Sequence, residues 1–263
     1  MKGKLLIICV ALFAIKGYTQ DSIVNYLDFK YKKGPKETAL YIQTVVKKGH
    51  LWQGIVYYSD GKIKYKGNYS DNKLKKRVGV FKVYDKKGRL KSIQNYNLKG
   101  RKEGVYLYFS DKGDQLTKGF FLKGKKEGVW SYVDENKNKR AKIVFKKGKV
   151  INYQLWNENG VLLEEELILY KKPIYKNGLK YFKAKLKKEL TNRLKRNGLK
   201  TNFLVEFQID KNGNIKDVSV VPELKESFKK SIINFFYNIK DVEPAILTNR
   251  KVNSHIKLPI IIK

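Results

Sequence analysis

A repeat of about 25 residues constrains the fold of this chain more than any other feature. Three copies open at Gly79, Gly104 and Gly128, which are 25 and 24 residues apart, and a looser copy opens at Gly54. Each copy contains a short β-prone run, a turn signal and a second run that ends in an aromatic residue. Because two strands joined by a tight turn form a β-hairpin, the repeat predicts an array of hairpins.

The alternation inside each copy predicts which side chains share one face of the sheet. Successive side chains of a strand point to opposite faces, so the second and fourth positions after the opening glycine lie together. The second position holds Val56, Phe81, Tyr106 and Trp130, and the fourth holds Tyr58, Val83, Tyr108 and Tyr132. Rows of rings can bind sugars or apolar chains, but rings that recur this evenly favour packing into a core.

Two stretches resemble a known repeat family. Residues 103–113 read Glu-Gly-Val-Tyr-Leu-Tyr-Phe-Ser-Asp-Lys-Gly, and residues 127–132 read Glu-Gly-Val-Trp-Ser-Tyr after a Lys-Gly-Lys-Lys spacer. They resemble MORN-type repeats of the bacterial YwqK-like branch. The first unit lacks the Lys/Glu-Gly opening and the fourth has Asn136 where glycine is expected, so degenerate end units are expected. The resemblance implies an elongated sheet that binds proteins or membranes, and YwqK-like proteins are commonly labelled antitoxins.

The composition changes after residue 170, where a small module of helices and strands is predicted. Residues 179–196 predict an amphipathic helix, because apolar residues recur at every fourth position among lysines. These apolar residues are Phe182, Leu186, Leu190 and Leu194. A basic helix of this kind can lie on an anionic membrane, but packing of its apolar stripe on the following sheet is favoured.

A hairpin, a second helix and a last strand complete this module. Residues 203–221 alternate apolar and polar side chains around an Asp-Lys-Asn-Gly-Asn turn, which predicts a hairpin. Pro222 suits the first position of a helix. That helix carries an apolar stripe formed by Leu224, Phe228, Ile232, either Phe235 or Phe236, and Ile239. Pro259 in the last strand, residues 256–263, cannot donate to a neighbouring strand, so this strand is predicted at the sheet edge.

The sequence of residues 203–221, with this order of elements, resembles the TonB C-terminal domain. Glu-Pro-Ala at 243–245, Asn-Arg-Lys-Val at 249–252 and Leu-Pro-Ile at 258–260 match its later landmarks. Two departures are Val242, where a tryptophan is usual, and Arg250, which replaces the glycine of the usual Asn-Gly turn. The family implies capture of an extended peptide by addition to the edge strand. By position, this role falls on Ser254, Ile256 and Leu258.

The N-terminus predicts export. Residues 1–20 combine an early lysine pair with an eleven-residue apolar run and read as a signal peptide. The run is shorter than the roughly 20 apolar residues that span a bilayer. Acylation at Cys9 and an uncleaved anchoring segment are the alternatives. A cleaved leader removes the only cysteine, so no disulfide is expected in the mature chain. The mature chain is also expected to lack a transmembrane helix. Its expected location is the periplasm, the outer membrane or the outside of the cell.

The formal net charge of +34 makes polyanions natural partners of the surface. For an exported protein these are anionic lipids or acidic polysaccharides. The lysines are spread along the chain rather than clustered, which is typical of a surface that confers solubility, and no nucleic-acid partner is predicted.

The sequence predicts no catalytic, cofactor or metal site. His50 and His255 stand in different modules and lack the partners of a triad or a metal cluster. The three glutamates at 164–166 would alternate between faces of a strand. A Gly-rich phosphate loop is also missing from the sequence.

The predicted fold is therefore mainly β with a small α+β module. Its parts are a signal peptide (1–20), a lead-in (21–37), MORN-like β-hairpin repeats (38–170), a linker (171–178) and a TonB C-terminal-like domain with two helices and three strands (179–263).

The expected function is a non-catalytic envelope adaptor that docks a peptide of an envelope or outer-membrane protein by strand addition. A cationic structural protein bound to anionic glycolipid or polysaccharide, or a YwqK-like antitoxin or immunity-type inhibitor, is the alternative. Energy transduction is not expected, because the chain has five prolines and none in a tract that could form a rigid spacer.

Overall fold

A computed structural model describes residues 22–178, 181–182, 184–186, 188, 203–221, 224–240 and 242–260. The predicted signal peptide lies outside the described residues, as do Leu190, Leu194 and Pro222. The second predicted helix begins at Glu226, after a non-helical backbone at Lys225, so the prediction that Pro222 takes its first position is wrong. The described part of the first predicted helix is helical at Tyr181, Phe182 and residues 184–186.

The first module is one sheet of twelve antiparallel strands that follow one another in chain order. The strands are β1 (Ser22–Leu27), β2 (Tyr41–Lys48), β3 (Leu51–Tyr58), β4 (Ile63–Tyr69), β5 (Arg77–Tyr84), β6 (Leu90–Tyr96), β7 (Lys102–Phe109), β8 (Gln115–Leu122), β9 (Lys125–Val133), β10 (Lys139–Lys146), β11 (Lys149–Trp156) and β12 (Leu162–Leu163). The array of hairpins predicted from the repeat is confirmed. The sheet begins before residue 38, the expected start, because β1 pairs with β2 along its whole length.

Several hairpin connections share one turn, in which the side-chain oxygen of the first turn residue accepts two backbone N–H groups. After β5 the carboxylate of Asp85 accepts the backbone N–H groups of Lys87 and Arg89 at 2.9 and 3.0 Å, and Gly88 has a φ of 83°. Glycine is preferred there because its left-handed backbone carries no side-chain penalty. In the fourth unit the left-handed residue is Lys137, with a φ of 66°, so the prediction that Asn136 takes the glycine position is wrong by one residue.

The face that carries Val56, Phe81, Tyr106 and Trp130 is called the ring face. Strand register places both predicted rows on this face. Phe81 and Tyr106 of the first row stand opposite Gln94 of β6, and Val83 and Tyr108 of the second row stand opposite Ser92, two positions away in the same strand. Trp130 covers Gly119 in the neighbouring strand so closely that a Cβ there would lie 2.1 Å from the indole. A missing side chain in one strand thus makes room for a ring in the next.

The ring face is buried at its two ends, whereas some of its middle positions are exposed. At one end Val56 is fully buried, and at the other Trp130 and Tyr132 are buried with Ile143 and Leu155. The predicted core packing is wrong for Val83 and Tyr108, which are 40% and 37% exposed. They lie between the two buried ends, and Lys91 Nζ lies 5.2 Å from the ring centre of Tyr108.

The second module contains short strands and a three-stranded sheet. Its elements are β13 (Tyr170–Lys171), β14 (Ile174–Tyr175), β15 (Phe203–Ile209), β16 (Ile215–Val221), α1 (Glu226–Tyr237), β17 (Val242–Glu243), β18 (Ala245–Leu247), β19 (Arg250–Val252) and β20 (Ser254–Ile260). The sheet has the order β16-β15-β20. One of its faces packs on α1 through a core that includes Phe203, Val205, Phe207, Phe228, Ile232 and Phe236. Residues 171–178 are not a free linker, since β13 pairs with β18 and β14 with β17.

Candidate functional site

The last strand, β20, forms an edge of the three-stranded sheet, as predicted. It pairs with β15 through seven consecutive residues, from Ile260 opposite Phe203 to Ser254 opposite Ile209, without a register shift. No described strand pairs with the other side of β20. Pro259 lies within this strand, which suits an edge because a proline nitrogen can face away from the neighbouring strand.

The side chains of β20 alternate between the two faces of the sheet. Ile256 and Leu258, two of the predicted binding residues, pack partly buried against the core beneath α1. Ser254, the third, has a buried Oγ without a hydrogen-bond partner among the described residues. The structure thus brings Ser254, Ile256 and Leu258 together on one face, where an added strand would extend the same apolar surface.

The opposite edge of the sheet has a different form. The register between β15 and β16 shifts between Glu206 and Gln208, and Asp217 adopts a φ of 51°. A bulge and an acidic side chain on an edge strand oppose pairing with a further strand. Of the two edges, β20 is therefore the regular one that can accept a partner.

The face of the sheet away from α1 packs on one end of the hairpin array. Leu204 joins a buried cluster with Leu27, Leu40, Tyr41 and Val56 of the array. The second module therefore covers this end of the ring face. Burial of these apolar side chains fixes the orientation of the three-stranded sheet on the array.

A buried carboxylate lies in this junction. Glu206 is 3% exposed and forms ion pairs with Lys86 of the array and, at 2.5 Å, with Lys257 of β20. Lys257 also donates a 2.7 Å hydrogen bond to the hydroxyl of Tyr41. Burial by itself raises the pKa of Glu206, but the hydrogen bonds and charges of Lys257 and Lys86 outweigh it and lower the pKa to about 2.

The sequence analysis did not identify Glu206 as a functional residue. The sequence did contain an indication of this role. Glu206 stands in the apolar run Phe-Leu-Val-Glu-Phe, and a carboxylate that is buried in such a strand needs a charged or hydrogen-bonding partner. Lys86 comes from a turn 120 positions earlier, and no local pattern could name it.

A second junction joins the turn between β18 and β19 to the far end of the array. Arg250 donates a 2.6 Å hydrogen bond to the carbonyl of Trp156 and forms a 3.4 Å ion pair with Asp134. Asn249 donates to the carbonyl of Glu166 at 2.7 Å and accepts the N–H of Ile168 at 2.6 Å. The arginine that departs from the TonB pattern therefore anchors the turn to the array.

The fold and this edge define a chain that joins a long hairpin array to a small α+β module with one regular open edge strand. Residues 188–261 match the family of the Gram-negative bacterial TonB protein C-terminal. The match confirms the resemblance for the second module and leaves the array outside it. No curated protein matches the chain.

The described residues also bear on metal binding and on membrane insertion. Within them, no group of three or more histidine, cysteine or acidic side chains is arranged to hold a metal ion. None of the helices in the described part of the chain has the length and apolar character needed to cross a membrane.

Proposed function

We propose that the protein is an exported envelope adaptor without catalytic activity, and that β20 docks an extended peptide of an envelope partner by strand addition. The observation that carries the proposal is the unbulged outer edge of β20, in a module that matches the TonB C-terminal family. In strand addition, backbone hydrogen bonds give affinity and side-chain pockets give selectivity. Ser254, Ile256 and Leu258 supply the surface beside the added strand.

The array acts in this proposal as a rigid scaffold of MORN-type repeats. Its hairpin-by-hairpin order and its glycine-over-ring packing support that assignment. Two junctions, at Glu206 and at Arg250, hold the module on the array and thereby fix the direction in which β20 presents its edge. A periplasmic or outer-membrane-associated location follows from the family of the second module and from the predicted signal peptide.

The edge can be blocked by one substitution. In an antiparallel pair the N–H groups of successive residues point alternately toward and away from the neighbour. If the nitrogen of Pro259 faces outward, those of Lys257 and His255 do so too. His255→Pro then removes an outward donor without removing a bond to β15, and His255→Ala is the matched control that keeps the donor.

The test is affinity capture from envelope extract with tagged wild-type protein, His255→Ala and His255→Pro, washed at low and at high salt. We expect a defined protein to survive high salt on the wild type and on His255→Ala and to be lost from His255→Pro. Circular dichroism verifies that both variants are folded. Equal retention by all three proteins, or retention of salt-labile material alone, would contradict docking at this edge.

A further inference from the structure

The ladder of rings on the ring face is interrupted at one place. Phe81 contacts Tyr96 with 5.2 Å between ring centroids, and Tyr106 stacks on Trp130 at 5.6 Å. Within the described array no ring contact joins Phe81 or Tyr96 to Tyr106. Between the two groups of rings lies Gln94 in β6, opposite Phe81 on one side and Tyr106 on the other.

Gln94 occupies a position where neighbouring hairpins have glycine. Gly67 lies beneath Phe81, and Gly119 lies beneath Trp130. Gln94 is 6% exposed, and its Nε2 donates a 2.7 Å hydrogen bond to the carbonyl of Asn95. Its Oε1 is buried and has no hydrogen-bond partner among the described residues. A buried acceptor without a donor is costly, so a hydrogen-bond donor, either a water or a ligand hydroxyl, would stabilise this position.

A cavity of about 270 Å³ opens at this interruption. Its lining includes Arg77, Phe81, Gln94, Tyr96, Lys102 and Tyr106. The lining combines rings, hydroxyls and one amide with two cations and contains no carboxylate. A volume of this order approaches the lower end of the range of pockets that hold small organic ligands.

The cations of the cavity are held in place, and neither forms an ion pair with a carboxylate of the described residues. Arg77 donates a 2.9 Å hydrogen bond to the hydroxyl of Tyr96 and lies 5.0 Å from the ring centre of Phe81. Lys102 lies 4.8 Å from the ring centre of Phe121. The carboxylate of Glu103, next to Lys102 in sequence, instead accepts N–H groups of the loops around Asn97 and Lys123.

The cations continue as a row along the array. Arg77, Lys102 and Lys126 each stand opposite an aromatic residue that ends the preceding hairpin. Strands are spaced by about 4.8 Å, so cations on every second strand recur at about 10 Å. A row of this kind fits a polymer with regularly spaced negative charges.

We propose that the cavity around Gln94 binds a uronate residue of an acidic polysaccharide. A sugar hydroxyl donates to Oε1 of Gln94, the carboxylate lies between Arg77 and Lys102, and the apolar side of the sugar ring packs on the aromatic lining. A uronate combines a hydroxyl donor, a negative charge and an apolar ring side in one residue. These three features complement Oε1 of Gln94, the two cations and the aromatic side chains of the cavity. Neighbouring uronates of the same polymer extend toward Lys126.

An acidic peptide is the competing ligand. Peptides bind sheets through edge backbone groups, whereas this cavity lies on a face whose strands, β4 to β7, are all paired on both sides. A peptide here could use only its side chains. The sugar is therefore the ligand that the observations favour, and the peptide is one outcome of the test.

The test is calorimetric titration of the full protein with trigalacturonic acid, with neutral galactotriose and with hexaglutamate, at low and moderate salt. We expect trigalacturonic acid to bind and galactotriose to bind at least tenfold more weakly. The double variant Arg77→Gln/Lys102→Gln should lose at least tenfold in affinity for trigalacturonic acid. Gln94→Leu, which keeps the volume and removes the acceptor, should also weaken binding several-fold.

The matched control is Lys118→Gln/Lys142→Gln, which removes the same charge from the other face of the array. These two lysines are exposed and alternate with ring-face residues of β8 and β10. This variant should bind trigalacturonic acid like the wild type. An equal loss of affinity for trigalacturonic acid in both double variants would show that binding depends on net charge alone, and would overturn the proposal. Tighter binding of hexaglutamate than of trigalacturonic acid would overturn it in favour of a peptide.

Discussion

The guanidinium of Arg250 in β19 donates a 2.6 Å hydrogen bond to the backbone carbonyl of Trp156 in β11, and this bond ties the second module to the far end of the array. At the near end, Glu206 of β15 pairs with Lys86 of the array. The module is thus attached at two points that lie many strands apart. We infer that the array and the module unfold together rather than as independent domains.

Replacement of Arg250 tests the far junction. Arg250→Ala removes the hydrogen bond to Trp156 and the ion pair with Asp134, and leaves the Trp156 carbonyl without this donor. Hydrogen bonds to charged groups contribute about 1.5 to 3 kcal/mol, so we expect the free energy of unfolding to fall by about 2 kcal/mol. Urea denaturation measures the change. Lys251→Ala, at the exposed next position, is the control and should change stability by less than about 0.5 kcal/mol.

The near junction should make stability depend on acid pH. The pKa of Glu206 is lowered from 4.5 to about 2 in the folded protein, so its contribution is complete above about pH 5 and is lost as the pH falls toward 2. The contribution is on the order of 3 kcal/mol. We expect Glu206→Gln to be less stable than the wild type at pH 7, and the difference to shrink between pH 4.5 and 2.

Glu158→Gln serves as the control for this pH dependence, because Glu158 is an exposed turn residue. Its stability should follow the wild type over the same pH range. A difference between Glu206→Gln and the wild type that stays constant from pH 7 to 2 would show that Glu206 is not the titrating group.

The sequence was sufficient for the features that are periodic or local. Glycine spacing predicted the hairpins, alternation predicted the ring face, and Pro259 predicted the edge position of β20. It was insufficient where residues far apart in the chain meet. Strand β1 was taken for a lead-in because it belongs to no glycine-opened unit. The exposure of Val83 and Tyr108 on the ring face depends on how far the second module reaches over the array, which no single copy of the repeat encodes.

The left-handed residue of the fourth hairpin turn offers a stabilising substitution. Lys137 has a φ of 66° where equivalent turns have glycine, and such a backbone costs a non-glycine residue about 1 kcal/mol. Its 3.2 Å ion pair with Asp114 is largely exposed and contributes little. We expect Lys137→Gly to raise the free energy of unfolding by about 0.5 kcal/mol, measured by urea denaturation. Glu135→Gly in the same turn should not stabilise the protein, and a loss of stability in Lys137→Gly would contradict the argument.

The packing of Trp130 on Gly119 predicts that even the methyl group of alanine is not tolerated at position 119 of β8. A Cβ at position 119 would lie 2.1 Å from the indole, well inside van der Waals contact, so Gly119→Ala forces the ring out of a site where it is 1% exposed. Overpacking of this kind costs about 1 to 3 kcal/mol, and we expect the upper part of that range in thermal and urea unfolding. Gly34→Ala is the matched control, because nothing lies within 4 Å of the added Cβ and the φ there is not positive. Equal stability of the two variants would mean that the ring can move aside at no cost, and that glycine in this strand does not set the order of the ring face.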